Sequence, residues 1–151
     1  MMQTRSISIE AWRELCREGA APPVTICLDG DSMRPLIRRG CDPVTIVPLR
    51  RPLRRGDVVL FTLGDGRYIV HRVRGLKEGR VQTLGDNCWN PDAWFPEEQV
   101  LGQAVRFVRS GRPHRLDTPL ARAWGRCWMA LYPVRRLYRR VRSMAARLLG
   151  R

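Results

Sequence analysis

The sequence has few side chains that can accept a proton near neutral pH. Its Lys and Arg residues number 28, all of them Arg except Lys77, and its two histidines are His71 and His114. Lys77 precedes Glu78 in a predicted hairpin turn, a setting typical of a solvated charge, which argues against a buried neutral base. His114 lies in a predicted linker rich in Arg and Pro. His71 lies within a predicted apolar strand, where a polar side chain needs a partner.

Long apolar runs are also missing. No stretch approaches the roughly 18 apolar residues of a membrane-spanning helix, and the polar N-terminus lacks the apolar centre of a secretory signal. The five cysteines form no C-x-x-C pair, which argues against a zinc ribbon or a thioredoxin-like motif. Their odd number and scattered spacing favour free thiols in a reducing compartment. We therefore expect a cytoplasmic protein.

Acidic residues are absent from residues 118–151, which contain nine arginines and supply nine of the chain's 14 net positive charges. Apolar residues recur there at alternating steps of three and four, which predicts a helical stripe that Pro133 kinks or divides. The same segment carries aromatic residues of the kind found at lipid headgroups, namely Trp124, Trp128, Tyr132 and Tyr138. We expect residues 118–151 to contact an anionic membrane surface peripherally. Nucleic acid is not expected, because no aromatic stacking platform accompanies the charge in the predicted β region.

The rest of the chain predicts a mainly β protein. Residues 8–18 have the apolar spacing of one short amphipathic helix, with Ile9, Trp12 and Leu15 on one face. Six short strands follow, at residues 24–28, 44–47, 58–62, 68–73, 80–84 and 100–108, the last with Gly102 as a candidate bulge. Together they predict a barrel or folded sheet. We divide the chain into an N-terminal helix (1–22), a catalytic β domain (23–110) and an Arg-rich amphipathic helical tail (111–151).

The sharpest local feature is a turn around Ser32. It follows a predicted strand, begins at Gly30 and ends at Pro35. Such a turn can present the serine hydroxyl beside free backbone N–H groups, which makes Gly30, Asp31 and Met33 candidates for an oxyanion hole or for substrate contacts.

A serine hydroxyl needs a base, and a histidine base works better when a third group fixes its tautomer. His71 is the candidate base. Asp86 and Asp92 follow the next predicted strand, and the residues alone leave open which of these two carboxylates contacts the histidine.

Taken together, five segments resemble the type I signal peptidases and occur in the order of that family's motifs. The matching segments are Ser32-Met33-Arg34-Pro35, Arg55-Gly56-Asp57-Val58-Val59, Val70-His71-Arg72-Val73, Gly85-Asp86-Asn87 continuing to Asp92, and Val100-Leu101-Gly102-Gln103-Ala104. The resemblance covers about residues 24–108. One such segment would mean little, whereas five in order make chance similarity improbable.

The resemblance implies a catalytic domain of the signal-peptidase and LexA-like type and peptide hydrolysis through an acyl-enzyme. The usual bacterial members have a lysine base where His71 stands, whereas the endoplasmic-reticulum and archaeal branch has histidine, as this chain does. That branch implies Ser32 as nucleophile, His71 as general base, Asp92 as its orienting acid and Asp86 as a supporting carboxylate. It also implies an extended leader- or signal-like peptide added as a β-strand, with small residues before the cut and with no metal or organic cofactor.

Two departures from the family keep other interpretations open. The family has an N-terminal membrane anchor, and it often has a serine where this chain has Gly30. A catalytically weak or inactive peptidase-fold module that binds peptides, a membrane surface or nucleic acid is therefore an alternative. A LexA-like self-cleaving repressor is a second one, although it would use lysine and carry an N-terminal helix-turn-helix, for which the residues before Pro22 are too few.

Overall fold

The computed structural model describes residues 8–49 and 51–148, with the backbone alone at Leu148. Strands make up 32% of the chain and helices 29%, so the protein is mainly β, as predicted. The elements are α1 (Ile9–Arg17), β1 (Val24–Ile26), β2 (Val44–Pro48), β3 (Val58–Thr62), β4 (Tyr68–Lys77), β5 (Arg80–Leu84), β6 (Phe95–Pro96), a 3-10 turn (Glu97–Gln99), β7 (Val100–Arg109), β8 (Arg112–Arg115), α2 (Pro119–Ala130) and α3 (Tyr132–Leu148).

The strands form one curled, antiparallel sheet that resembles half of a barrel. Their order is β1-β2-β7-β3-β4-β5-β6, and β8 pairs with the end of β7. The six predicted strands are all present. The short β6 and the fully exposed β8 were missed, because each contains a proline and neither shows the alternating pattern of a strand.

The sheet extends past the predicted boundary at residue 110. Ser110 and Gly111 both have positive φ and turn the chain tightly from β7 into β8. His114, expected in a linker, is therefore a strand residue, and its ring stacks on Phe107 with centroids 4.9 Å apart.

β7 is irregular beside Gly102 rather than at Gly102 itself, where the bulge was predicted. Gly102 pairs regularly with both Pro48 and Leu60, and the register shifts instead skip its neighbour Leu101 on one side and Val105 on the other. Close packing explains the glycine, since a Cβ there would lie 2.7 Å from the ring of Trp12. Gly102 thus lets α1 pack directly on the middle of the sheet.

The core lies on both faces of the central strand β3. Val58 and Leu60 pack in a cluster with Trp12 of α1, which is fully buried. Phe61 faces the opposite way, into a second cluster where its ring stacks on Phe95 at 4.5 Å. The adjacent strand β4 pairs with β3 along residues 68–72 and carries His71, so the histidine is anchored to the centre of the sheet.

The basic tail forms two helices. Pro133 is the second residue of α3, where a proline is tolerated because its missing N–H is not needed. It therefore marks the division between α2 and α3, which was one of the two expected effects. None of the described helices combines the length and the apolar composition that crossing a membrane requires.

Candidate active site

His71 is a buried strand residue whose ring is oriented by a carboxylate. Its Nδ1 lies 2.7 Å from Asp92 Oδ2, and the Thr83 hydroxyl donates a hydrogen bond to the same oxygen at 2.6 Å. Since a carboxylate accepts, Nδ1 carries the proton and Nε2 of the neutral ring is left as the acceptor. Asp92 is positioned in turn by its backbone N–H, which donates to the Thr83 carbonyl at 2.9 Å.

The surroundings of His71 favour its charged form. Burial by itself lowers the pKa of the ring, but the hydrogen bonds to Asp92 and Cys88 and the negative charge of Asp92 raise it to about 9. Burial acts to raise the pKa of Asp92, yet its bond to His71 outweighs that effect and lowers it. The two shifts describe one buried imidazolium–carboxylate pair.

Ser32 lies on the same side of the sheet as His71. A Cβ added to Gly85 would lie 2.8 Å from the Ser32 carbonyl oxygen and 2.9 Å from His71 Nε2, so both residues border the same small space. In residues 8–49 and 51–148, however, the Ser32 hydroxyl makes no hydrogen bond to the histidine. The side-chain contact expected between nucleophile and base is therefore not formed in this structure.

A thiol faces the histidine instead. Cys88 Sγ lies 3.9 Å from His71 Nε2, and it borders the same space beside Gly85, at 2.5 Å from the added Cβ. Sequence reasoning missed this residue. The available signal was its position between Asp86 and Asp92, inside the segment that supplies the carboxylate.

The turn around Ser32 leaves backbone donors free. Within the described part of the chain, the N–H groups of Ser32 and Met33 donate to no other group, while the Asp31 carbonyl accepts from Arg34. The Met33 side chain is fully buried in the core, so of this candidate residue only the backbone could face a substrate. Gly30 has open space around it, with nothing within 4 Å of an added Cβ.

The Ser32 turn is tied to the loop after β5. The Asn87 N–H donates to the Ser32 carbonyl at 2.7 Å, and the Asn87 side-chain amide donates to the Asp31 carbonyl at 3.2 Å. These bonds hold the candidate nucleophile against the loop that also carries Asp92. They also account for asparagine at position 87.

Asp86 does not contact His71. Both of its oxygens accept from the Arg72 guanidinium, at 2.7 Å and 2.8 Å, and both residues are only 2% exposed. Arg72 also donates to the carbonyl of Gly56 at 2.9 Å. Of the two candidate carboxylates, Asp92 thus holds the histidine and Asp86 holds the loop.

The C-terminal helices pack on this same loop. The indole N–H of Trp128 in α2 and the Arg135 guanidinium in α3 both donate to the Asp86 carbonyl, and Arg139 donates to the Asn87 carbonyl. Gly125 of α2 lies directly on Arg72, where a Cβ would come within 2.3 Å of the guanidinium. The tail is therefore part of the site's support.

Lys77, which was rejected as a base from the sequence, is exposed to solvent. The side chain of Lys77 is 72% exposed and lies 3.9 Å from Glu78, as expected for a solvated charge. Across the described residues, no group of three or more His, Cys, Asp or Glu side chains is placed to hold a metal ion.

No protein-family model and no curated protein matches this chain. The functional argument therefore depends on the geometry of Ser32, His71, Asp92 and their neighbours.

The His71–Asp92 pair should be visible by NMR titration. We expect the His71 ring to titrate near pH 9, and Asp92→Asn to move its midpoint downward because the carboxylate that stabilises the imidazolium is gone. The variant His71→Gln assigns the resonance, and His114 serves as an internal reference signal. A His71 midpoint that Asp92→Asn leaves unchanged would contradict the pairing.

Proposed function

We propose that this protein is a serine endopeptidase of the signal-peptidase-like kind, with Ser32 as nucleophile and His71 as general base. The observation that carries the proposal is the placement of His71, which Asp92 holds at Nδ1 while its Nε2 borders the space shared with Ser32. The signal-peptidase and LexA-like fold is part of the same proposal. The curled antiparallel sheet and the order of the five motifs support it.

The substrate in this proposal is an extended leader-like peptide that adds a strand to the sheet. Among the described strands, β1 pairs only with β2, so its outer edge is open. The chain runs from β1 into the Ser32 turn, so a peptide on that edge is led toward the nucleophile. Main-chain hydrogen bonds would supply affinity there, and side-chain pockets would supply specificity.

The chemistry requires two proton transfers by one histidine. Neutral His71 takes the Ser32 proton as the hydroxyl attacks the carbonyl carbon, and the imidazolium then protonates the leaving amine. Asp92 stabilises that imidazolium. With a pKa of about 9, only on the order of 1% of the free base is neutral at pH 7, so the rate rises with pH through this range.

The nucleophile and base can be tested by single and double substitution. We expect Ser32→Ala and His71→Ala each to abolish cleavage of a peptide library, because neither group acts without the other, and we expect the double variant to be no slower than either. Loss is scored as kcat/KM, with circular dichroism to confirm the fold.

Two control variants make that test specific. Lys77→Ala removes an exposed base candidate and should leave activity unchanged. Cys88→Ala removes the thiol that faces His71 and should retain cleavage. Full activity in Ser32→Ala together with its loss in Cys88→Ala would replace serine with cysteine as the nucleophile.

Gly30 offers a test of the oxyanion hole. The family often has serine at this position, and removing one oxyanion donor typically costs about 10²–10³ in rate. Because the space around Gly30 is open, we expect Gly30→Ser to raise kcat without altering stability. The matched control is Gly30→Ala, which adds the Cβ without the hydroxyl and should not raise kcat. Equal rates in the two variants would show that the added hydroxyl does not reach the oxyanion.

We also propose that α3 holds the enzyme peripherally on an anionic lipid surface. Five apolar side chains follow each other along one exposed stripe of the helix and are 57% to 64% exposed, namely Val134, Leu137, Tyr138, Val141 and Met144. Several arginines flank the stripe, and each contributes about 1 kcal/mol near an anionic surface. The stripe and the charge together favour lipid over a purely apolar partner.

Vesicle co-sedimentation tests this location. We expect binding to phosphatidylserine-containing vesicles that weakens with salt, and a loss of about tenfold or more in the variant Leu137→Ser/Val141→Ser. The matched control is Leu63→Ser/Leu76→Ser, which removes two exposed leucines from the hairpins of the sheet. An equal loss of vesicle binding in both double variants would show that the α3 stripe does not bind the membrane. Substitution is preferable to truncation, because removing α2 would uncover the buried Arg72.

A further inference from the structure

The proposed peptidase mechanism gives no role to the thiol of Cys88. This thiol lies 3.9 Å from His71 Nε2, at the position where the nucleophile was expected. It does not form a disulfide, and its side chain is partly accessible.

The geometry around Cys88 pairs a thiol with a histidine. Nε2 of His71 faces the sulfur at 3.9 Å, and Asp92 holds the ring from the other side, with its Oδ2 2.7 Å from Nδ1. The thiolate is the reactive form of a cysteine, and an imidazolium at this position offers it an opposite charge. The Cys88–His71–Asp92 series therefore places a cationic ring against the sulfur.

The other side of Cys88 is strongly positive. A small pocket beside it is lined by Cys88, Trp89, Tyr132, Arg135, Arg136 and Arg139. Among the described residues none of these three arginines forms an ion pair with a carboxylate, and the buried Nε of Arg135 has no hydrogen-bond partner. Two of them, Arg135 and Arg139, donate only to backbone and amide oxygens of the loop. The pocket thus offers uncompensated positive charge next to a nucleophilic sulfur.

We propose that Cys88 is a modification site that undergoes thiol–disulfide exchange with a small anionic disulfide. The Cys88 proton passes to solvent, and the thiolate beside the His71 imidazolium attacks one sulfur of the reagent. A new bond forms between Cys88 and that sulfur while the disulfide bond of the reagent breaks, and the departing thiolate takes up a proton. Cys88 is oxidised to a mixed disulfide with one half of the reagent, and the other half is reduced to a thiol.

The adduct would obstruct the point that Ser32 and His71 border beside Gly85, which is too small to hold the adduct itself. A group attached to Cys88 would cover that point, because the sulfur borders it together with the Ser32 carbonyl and Nε2. Modification would then reversibly stop cleavage, a consequence that rests on the proposed peptidase function. The modification itself does not rest on it.

The test measures modification of the full chain by glutathione disulfide, an anionic reagent, and by cystamine, a cationic one. Site-resolved mass spectrometry follows each of the five cysteines over time at pH 7. We expect Cys88 to react about tenfold faster with glutathione disulfide than the exposed Cys27, Cys41 and Cys127 do, and to prefer this reagent over cystamine. Equal rates at Cys88 and at the exposed cysteines would overturn the proposal.

Three variants separate activation from charge. His71→Gln should lower the rate of Cys88 modification to that of the exposed thiols, and Asp92→Asn should lower this rate as well. Arg136→Gln should reduce the preference for glutathione disulfide while leaving the iodoacetamide rate unchanged. Unaltered Cys88 reactivity in both His71→Gln and Asp92→Asn would overturn the activation step, and an unaltered preference in Arg136→Gln would overturn the choice of an anionic reagent.

The controls come from the chain itself. Cys16 packs partly against the core, so its protection reports that each variant is folded, and Cys41 reports general changes in reactivity. Because labelling needs no peptidase activity, fast labelling of Cys88 in a chain that cleaves nothing would refute the proposed function alone. Cleavage that persists with Cys88 fully modified would refute the blocking of the site.

Discussion

The candidate site depends on one buried ion pair, that between Arg72 and Asp86. Both residues are 2% exposed, and their two hydrogen bonds join β4 to the loop after β5. Removing one partner of such a pair typically costs about 3–5 kcal/mol, because the other charge is left buried and uncompensated. The remaining donor of Arg72 holds the carbonyl of Gly56, so three of the five motif segments meet at one guanidinium. Arg72, Asp86 and Gly56 belong to motifs that resemble catalytic ones in the sequence, but here they hold the strand and the loop together.

The same pair explains why the tail belongs to the site. The Asp86 carboxylate is held by Arg72, and its carbonyl accepts from Trp128 and Arg135 of the two C-terminal helices. Close packing of Gly125 on Arg72 excludes water from the pair. The arginines of α3 therefore fall into two groups. Arg135 and Arg139 face the loop and donate to its backbone oxygens, whereas Arg140 and Arg142 are exposed to solvent.

Local patterns predicted much of the fold but less of the site. The short apolar run of β3 and the amphipathic spacing around Trp12 specify elements by themselves, because each is a local pattern that the sequence shows directly. Which carboxylate reaches His71 depends on how the loop after β5 folds back, and Asp86 and Asp92 have equally plausible spacings. Cys88 was missed for the same reason, since its contact with the histidine is set by the path of a loop rather than by any periodicity.

Gly85 is the residue around which the candidate site closes. A single methyl group at this position would fill the space where the Ser32 carbonyl, the Cys88 sulfur and His71 Nε2 meet, and each lies 2.5–2.9 Å from it. Such a chain would keep Ser32, His71 and Asp92, but the added methyl group would force Nε2 and the Ser32 turn apart. In the proposed peptidase, glycine at position 85 is therefore needed as much as the candidate catalytic residues are.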